Sequence, residues 1–247
     1  WLSGATAANL RANVEVRLTP GATRFKEFNG YVFDDPARGF SGAPITVFDG
    51  ELDAEGEAKI AKNLDLPRDV PGMLNANFVT RVFERGGAFS INRETRTVAA
   101  FDRYVGLKMP KGDAARDMLV TDTQHVVDLA TVDLNGKPVS VPRLQVTLYK
   151  VQWRWWWEQT GDSLAQYAQS ESNSVLKKEM ISTKDGRGQW RFEIKYPEWG
   201  RYLVRVCDLD GGHCTGRVFY VDWPAWAGTQ RDQSGPAANI LTLTSDK

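Results

Sequence analysis

A chain of 247 residues with 42% apolar and 11% aromatic content is long enough for one large core or two ordinary ones, and two fit its length better. Lysine plus arginine and aspartate plus glutamate each total 31, so the formal charge is zero and no broad field draws the chain toward nucleic acid or acidic membranes. No apolar run approaches the ~18 residues of a membrane span, and the N-terminal "WLSGATAANLRANVEV" lacks the charged and apolar regions of a signal peptide, which predicts a chain that begins mid-protein or after processing.

Short alternating runs separated by Gly, Asp and Asn clusters recur from end to end, the mark of an all-β chain. Over residues 1 to 98 the runs are "NVEVRLT", "PITVFDG", "GEAKIAKNLDL", "MLNANFVTRVF" and "AFSINRETRTV", with Leu74, Ala76, Phe78 and Val82 on one inward face. The piece "AEGEAKIAKNL" reads equally as a helix. Seven strands follow over residues 101 to 223: "YVGLKM", "MLVTDTQHVVDLATVDL", "RLQVTLYKVQWRWWW" after the Asn135-Gly136 turn, "SVLKKEMIST", "GQWRFEIKYP", "GRYLVRVC" and "GRVFYVDW". In the fifth, Trp190, Phe192, Ile194 and Tyr196 share a face; in the sixth, Tyr202, Val204 and Val206 oppose Arg201, Leu203, Arg205 and Cys207. "TGDSLAQYAQSE" predicts a short helical insertion near 160–171, capped by Asp162 or Ser163. After Trp223, "PAWAGTQRDQSGPAAN" reads as a linker and "ILTLTSDK" as the first strand of another domain.

The expectation is therefore tandem seven-stranded immunoglobulin-like or fibronectin-like β-sandwiches. The first covers residues 1–100 and lacks its first strand material. The second covers 101–224 with the helical insertion, and 225–247 is linker plus the opening strand of a following domain.

Several of these stretches resemble the macroglobulin-type domains of bacterial alpha-2-macroglobulins. "WLSGATAANLRANVEV" looks like the family's strand with an aromatic-Leu-x-Gly-x-x-Ala start, "FDGELDAEGEAKI" like its turn and strand, and "LYKVQWRWWWE" like the tryptophan-rich strand of bacterial members. "FYVDWPAW" and "ANILTLTSDK" look like the exit from one such domain and the start of the next. The resemblance implies a segment of a protease trap in the periplasm or cell envelope of a Gram-negative bacterium. In such proteins a protease cuts a bait segment, the domains rearrange, and a thioester between a cysteine and a glutamine captures the attacker. The thioester motif Cys-x-Glu-Gln is absent: Cys207 precedes "DLD" and Cys214 precedes "TGR". The implied partners are other domains of the parent protein, with target proteases met only through the full-length molecule, and no cofactor is implied.

Few residues suggest chemistry. Cys207 and Cys214, the only cysteines, flank "DLDGGH"; a two-residue turn on Asp210 and Gly211 would pair Leu209 with Gly212, Asp208 with His213 and Cys207 with Cys214, placing the thiols within disulfide reach. A reduced pair is the alternative. His125 and His213 are the only histidines; one lies inside an alternating strand and the other beside a turn, and neither sits in a nucleophile or metal pattern. "DLDGGH" and "ELDAEGE" have calcium-like composition without the twelve-residue ligand spacing, and no glycine-rich phosphate loop joins a strand to a helix. The sequence thus predicts no catalytic residue, no cofactor and no metal ligand. Trp153, Trp155, Trp156 and Trp157 crowd one strand, where the parity of apolar residues changes beside Leu148 and Tyr149, which predicts a β-bulge there or a strand that leaves one core to run along a neighbouring element. They read as core or interdomain packing, or else as a stacking platform for sugars in a carbohydrate-binding or adhesive module.

Overall fold

The computed structural model describes residues 6–113, 116–151 and 175–223, and among them every regular element is a strand. The chain is all-β. Four strands form the first sheet: β1 (Arg11–Pro20), β2 (Ile45–Glu51), β3 (Leu74–Phe83) and β4 (Phe89–Val98), in the order β2-β1-β3-β4 and antiparallel throughout. Its inner face carries Val16, Leu18, Leu74 and Ala76, all buried, and is covered by the long connection between β1 and β2 and by Val70 on the approach to β3.

The stretch from Gly56 to Leu66 is neither the strand nor the helix that its pattern allows. Ile60 is 42% exposed and no strand runs beside it; only Leu64 and Leu66 reach the core, so there is neither a ladder nor a continuous apolar stripe to order the segment.

The second half holds β5 (Arg103–Lys108), β6 (Leu119–Val120), β7 (Gln124–Asp133), β8 (Leu144–Val151), β9 (Val175–Ile181), β10 (Arg187–Glu193), β11 (Gly200–Asp208) and β12 (Cys214–Asp222). They make a three-stranded sheet, β10-β7-β5, facing a five-stranded sheet, β6-β12-β11-β8-β9. Between the two lie Val105, Leu107, Val127, Leu129, Leu144, Val146, Leu148, Trp190, Phe192, Tyr202, Val204 and Val206. The alternation read from "GQWRFEIKYP" and "GRYLVRVC" is the alternation of this core as far as Ile194, whereas Tyr196 is 45% exposed beyond the end of β10.

One predicted strand divides in two. "MLVTDTQHVVDLATVDL" supplies β6 to one sheet and β7 to the other, because residues 121–123 turn between layers. Asp122 has φ 55°, its N–H donates to the Ile194 carbonyl at 2.8 Å, and its carboxylate accepts from the Tyr196 N–H at 3.3 Å.

The register shift expected beside Leu148 and Tyr149 is present, but the extra residue is Leu176 of β9. The β8–β11 ladder runs unbroken from Asp208↔Leu144 to Arg201↔Val151. No change of buried face is needed, since β8 is covered on both sides: Leu144, Val146 and Leu148 enter the sandwich core, while Tyr149 and Val151 pack with Leu203 and Val218 on the outer face. Trp153, Trp155, Trp156 and Trp157, the 160–171 insertion and residues 225–247 lie outside the described residues.

Candidate functional site at the junction of the two halves

The connection from Gly21 to Pro44 carries "FNGYVFDDPARGF" and contains no strand, only a bridge from Val32 to Leu107 of β5. That bridge exchanges two backbone hydrogen bonds, of 2.8 and 2.9 Å. Phe33 lies against β5 at Gly106, where an added Cβ would stand 2.5 Å from its ring, so a larger residue there would expel the aromatic. Phe25, Phe28, Phe33, Phe101 and Tyr104 meet edge to face or tilted, with Ala130 and Val132 of β7 in the same cluster. The first core is therefore completed by residues of the second half. Arg187 of β10 adds its guanidinium 4.6 Å from the Phe28 ring and donates to the Tyr31 hydroxyl at 3.2 Å.

The next residues carry charge into this interface. Asp35, with no exposed side-chain surface, accepts from Arg205 Nε and Nη2 at 2.9 and 2.7 Å, faces Arg38 at 3.6 Å, and accepts the Ala37 N–H at 3.0 Å. One carboxylate thus serves two guanidiniums. Burial works against the charge on each, and the Asp35 charge opposes that effect. For Arg205 the balance raises the pKa; for Arg38 burial, assisted by repulsion from Arg205, lowers it. Arg38 also donates to the Gly212 carbonyl at 3.1 Å, the Thr215 hydroxyl donates to the Val32 carbonyl at 2.8 Å, and the Gly216 N–H donates to the Asp34 carbonyl at 3.2 Å.

The "CDLDGGHC" loop closes the other side. Cys207 and Cys214 are paired across β11 and β12 and disulfide-bonded, with Cα atoms 4.1 Å apart. The register is the one the sequence suggested, but the turn is longer. Asp208 N–H donates to the His213 carbonyl at 2.8 Å and Gly212 N–H to the Asp208 carbonyl at 2.8 Å, with the positive φ of 79° at Gly212. Leu209 does not pair with Gly212; its N–H donates to the Arg143 carbonyl at 3.2 Å. The Asp208 carboxylate holds the loop, accepting the N–H groups of Asp210 and Gly211, both at 3.0 Å, and a two-point contact from Arg103 of β5. Burial pushes the Asp208 pKa up, but Arg103 and the loop amides more than offset this and hold it below the usual carboxylate value.

His213 is fully buried. Its Nδ1 accepts the Val105 N–H at 3.0 Å, and its ring meets Tyr104 and Phe101 at 4.6 and 5.0 Å. With Nδ1 an acceptor, the neutral ring carries its proton on Nε2, which makes no hydrogen bond of normal geometry; the Phe33 carbonyl is the backbone acceptor that favours the proton there. Burial, with the Arg38 charge, depresses the pKa to about 3, so the ring stays neutral and acts as a wedge. His125 is also structural: it lies against Phe192, with Nε2 2.8 Å from the Val120 carbonyl. Among the described residues no group of three or more His, Cys, Asp or Glu side chains is arranged to hold a metal ion.

The sequence pointed to Cys207, Cys214 and the tryptophans, and it missed Asp35, Arg38, Arg103, Arg205 and Asp208. The two halves are joined through a buried carboxylate. The same division appears when the chain is compared with known proteins. Residues 1–100 match the bacterial alpha-2-macroglobulin MG5 domain, and residues 106–223 match bacterial macroglobulin domain 6.

The chain belongs to the bacterial alpha-2-macroglobulin family.

Among solved structures, this macroglobulin pair is similar to trypsin-activated alpha-2-macroglobulin from Escherichia coli, with TM-score 0.61, 17% identity, and 91% of this chain and 15% of that one covered. Salmonella alpha-2-macroglobulin reacted with methylamine gives 0.57 at 18% identity, covering 91% and 15%, and the native conformation of the E. coli protein gives 0.56 at 18%, covering 90% and 14%. At such identities the likeness is one of fold, and the macroglobulin pair spans about 15% of the length of these proteins. No curated protein matches it in sequence.

Two outcomes follow from the junction. Asp35→Asn, which leaves two guanidiniums without their carboxylate, should cost about 3 kcal/mol in urea unfolding, and Arg205→Met added to it should restore part of the loss. For His213 the folded pKa lies below the unfolded value, so the unfolded chain binds the extra proton between pH 6.5 and about 3 and stability falls as pH falls through that window. His213→Gln should therefore flatten the pH dependence of stability by about one proton, roughly 1.4 kcal/mol per pH unit, between pH 6 and 4.

Proposed function

We propose that this macroglobulin pair is a non-catalytic structural segment of an alpha-2-macroglobulin-like, broad-range endopeptidase inhibitor in the periplasm or cell envelope of a Gram-negative bacterium. The observation that carries the reading is where the buried ionisable groups lie. Asp35, Arg38 and Arg205 join the two halves, and His213 packs beside them. Although Asp35 and Arg38 also line a cavity of about 660 Å³, the Asp35 carboxylate there is held by both guanidiniums and by the Ala37 N–H. A site built for chemistry would hold a reactive group toward an opening with a second group set to exchange its proton. Here the charges fix one body to another.

In a trap that acts by rearranging many domains, such a seam has a mechanical use. Cleavage of a bait elsewhere releases motion between bodies, and a body that does not bend passes the displacement on undiminished. The partners of the pair are then other domains of the parent protein, and proteases are met only through the whole molecule. Neither Cys207 nor Cys214 is free to form a thioester, since each is bonded to the other.

The test is to incubate the purified chain, and separately the parent protein, with serine, cysteine and metallo-endopeptidases and to assay cleavage of a large protein substrate. The chain alone should give no protection and no covalent adduct on a denaturing gel, while the parent should protect the large substrate and leave a small peptide substrate open to attack. Stoichiometric protection by the chain alone would overturn the structural role; a parent that protects nothing would overturn the trap.

A further inference from the structure

The β12 strand is paired with β11 from Cys214 to Val221, but among the described residues its other edge is covered only at the two ends. At one end the Gly216 N–H donates to Asp34; at the other, Val221 and Asp222 pair with Leu119 and Val120 of β6, and the Thr121 N–H donates to the Asp222 carbonyl at 2.8 Å. Antiparallel strands turn alternate residues toward each neighbour. Since Gly216 and Asp222 face outward, so do the backbone groups of Val218 between them and the N–H of Tyr220, and among the described residues none of these has a partner. The gap is four residues, 217 to 220, or about 13 Å of extended chain.

This gap is one wall of a slot of about 360 Å³ whose other walls come from Gly30 and Val32 of the β1–β2 connection, from β5 and from the residues leading to β6. Leu107 and Leu119, both buried, give it an apolar floor, with Met109 beside them. Lys111 and Arg217 stand at its edge with no charged partner among the described residues. The one carboxylate there, Asp117, is occupied by its own loop, accepting the Gly112 N–H at 3.2 Å.

We infer that the slot is a strand-addition site, filled by a short extended segment with apolar and acidic side chains that is supplied by another part of the parent polypeptide. The open Val218 and Tyr220 groups provide the ladder, the apolar floor takes one side chain, and Lys111 with Arg217 selects a carboxylate. The source follows from continuity and length. Two pieces of the same chain, residues 32–34 and β6, already extend this edge from either side, and the pair accounts for about 15% of the length of its relatives. The source, though not the slot, rests on the reading of the chain as a segment of a larger trap.

Hydrogen exchange at the Val218 and Tyr220 amides, measured in the isolated chain and in the parent protein, tests this. Both amides should exchange freely in the chain and at least about a hundredfold more slowly in the parent, with Val204 and Val206 slow in both. Lys111→Glu with Arg217→Glu, two exposed positions, should speed exchange at Val218 in the parent at least about tenfold while leaving Val204 unchanged. Equal rates in chain and parent would overturn the proposal, and so would indifference to the charge reversal. Protection in the isolated chain overturns the stated source: if it rises with protein concentration the occupant is a second copy, and if it does not the chain covers its own edge. A parent that traps no protease yet protects these amides would sink the trap and leave the slot standing; a parent that traps with both amides open would do the reverse.

Discussion

The Asp35 carboxylate, without any exposed surface and held by Arg205 and Arg38, is the constraint on which the arrangement of this macroglobulin pair depends. A charge so placed is tolerated only where its partners are fixed. Fixing them fixes the rest: Arg205 belongs to β11 in the middle of the five-stranded sheet, and Asp35 to a connection that leaves the first sheet at Pro20 and returns to it at Ile45. The aromatic cluster around Phe33 supplies burial, and the carboxylate supplies register, since apolar contacts alone would let the connection slide along β5 and β12.

The consequence is a two-half body in which neither half owns its boundary. Tyr104, Ala130 and Val132 are second-half residues inside the first half's core, and Val32, Asp34 and Asp35 are first-half residues on strands of the second. The buried imidazole of His213, neutral because burial depresses its pKa, fills the space where the two meet. Bodies that are packed and ion-paired in this way move between discrete arrangements and do not deform gradually.

Much of the second half was legible in its sequence, and the junction was not. Strands buried on one or both faces advertise themselves by period-two patterns, so Trp190, Phe192 and Ile194 and the opposed faces of "GRYLVRVC" could be assigned before any coordinates. The Cys207–Cys214 register expected from the Asp-Gly turn is present although the loop is longer, because the longer loop is still centred on Asp210 and Gly211 and so leaves the same residues opposed. "FDDPARGF", by contrast, carries no period-two pattern: its two aspartates and its arginine are typical of loops, and the partner that buries Asp35 lies 170 residues away. The same locality hid the division of residues 118 to 134 into β6 and β7, since the turn at Asp122 is held by Ile194 and Tyr196 from beyond β10. The segment 56–66 misled for the opposite reason, having a pattern but no neighbour to pair with.

The central claim is that the seam makes one cooperative body of two domains, and differential scanning calorimetry of the chain tests it most directly. One transition is predicted, with calorimetric and van't Hoff enthalpies in agreement. Two resolved transitions, the second unaffected by unfolding of the first half, would contradict it.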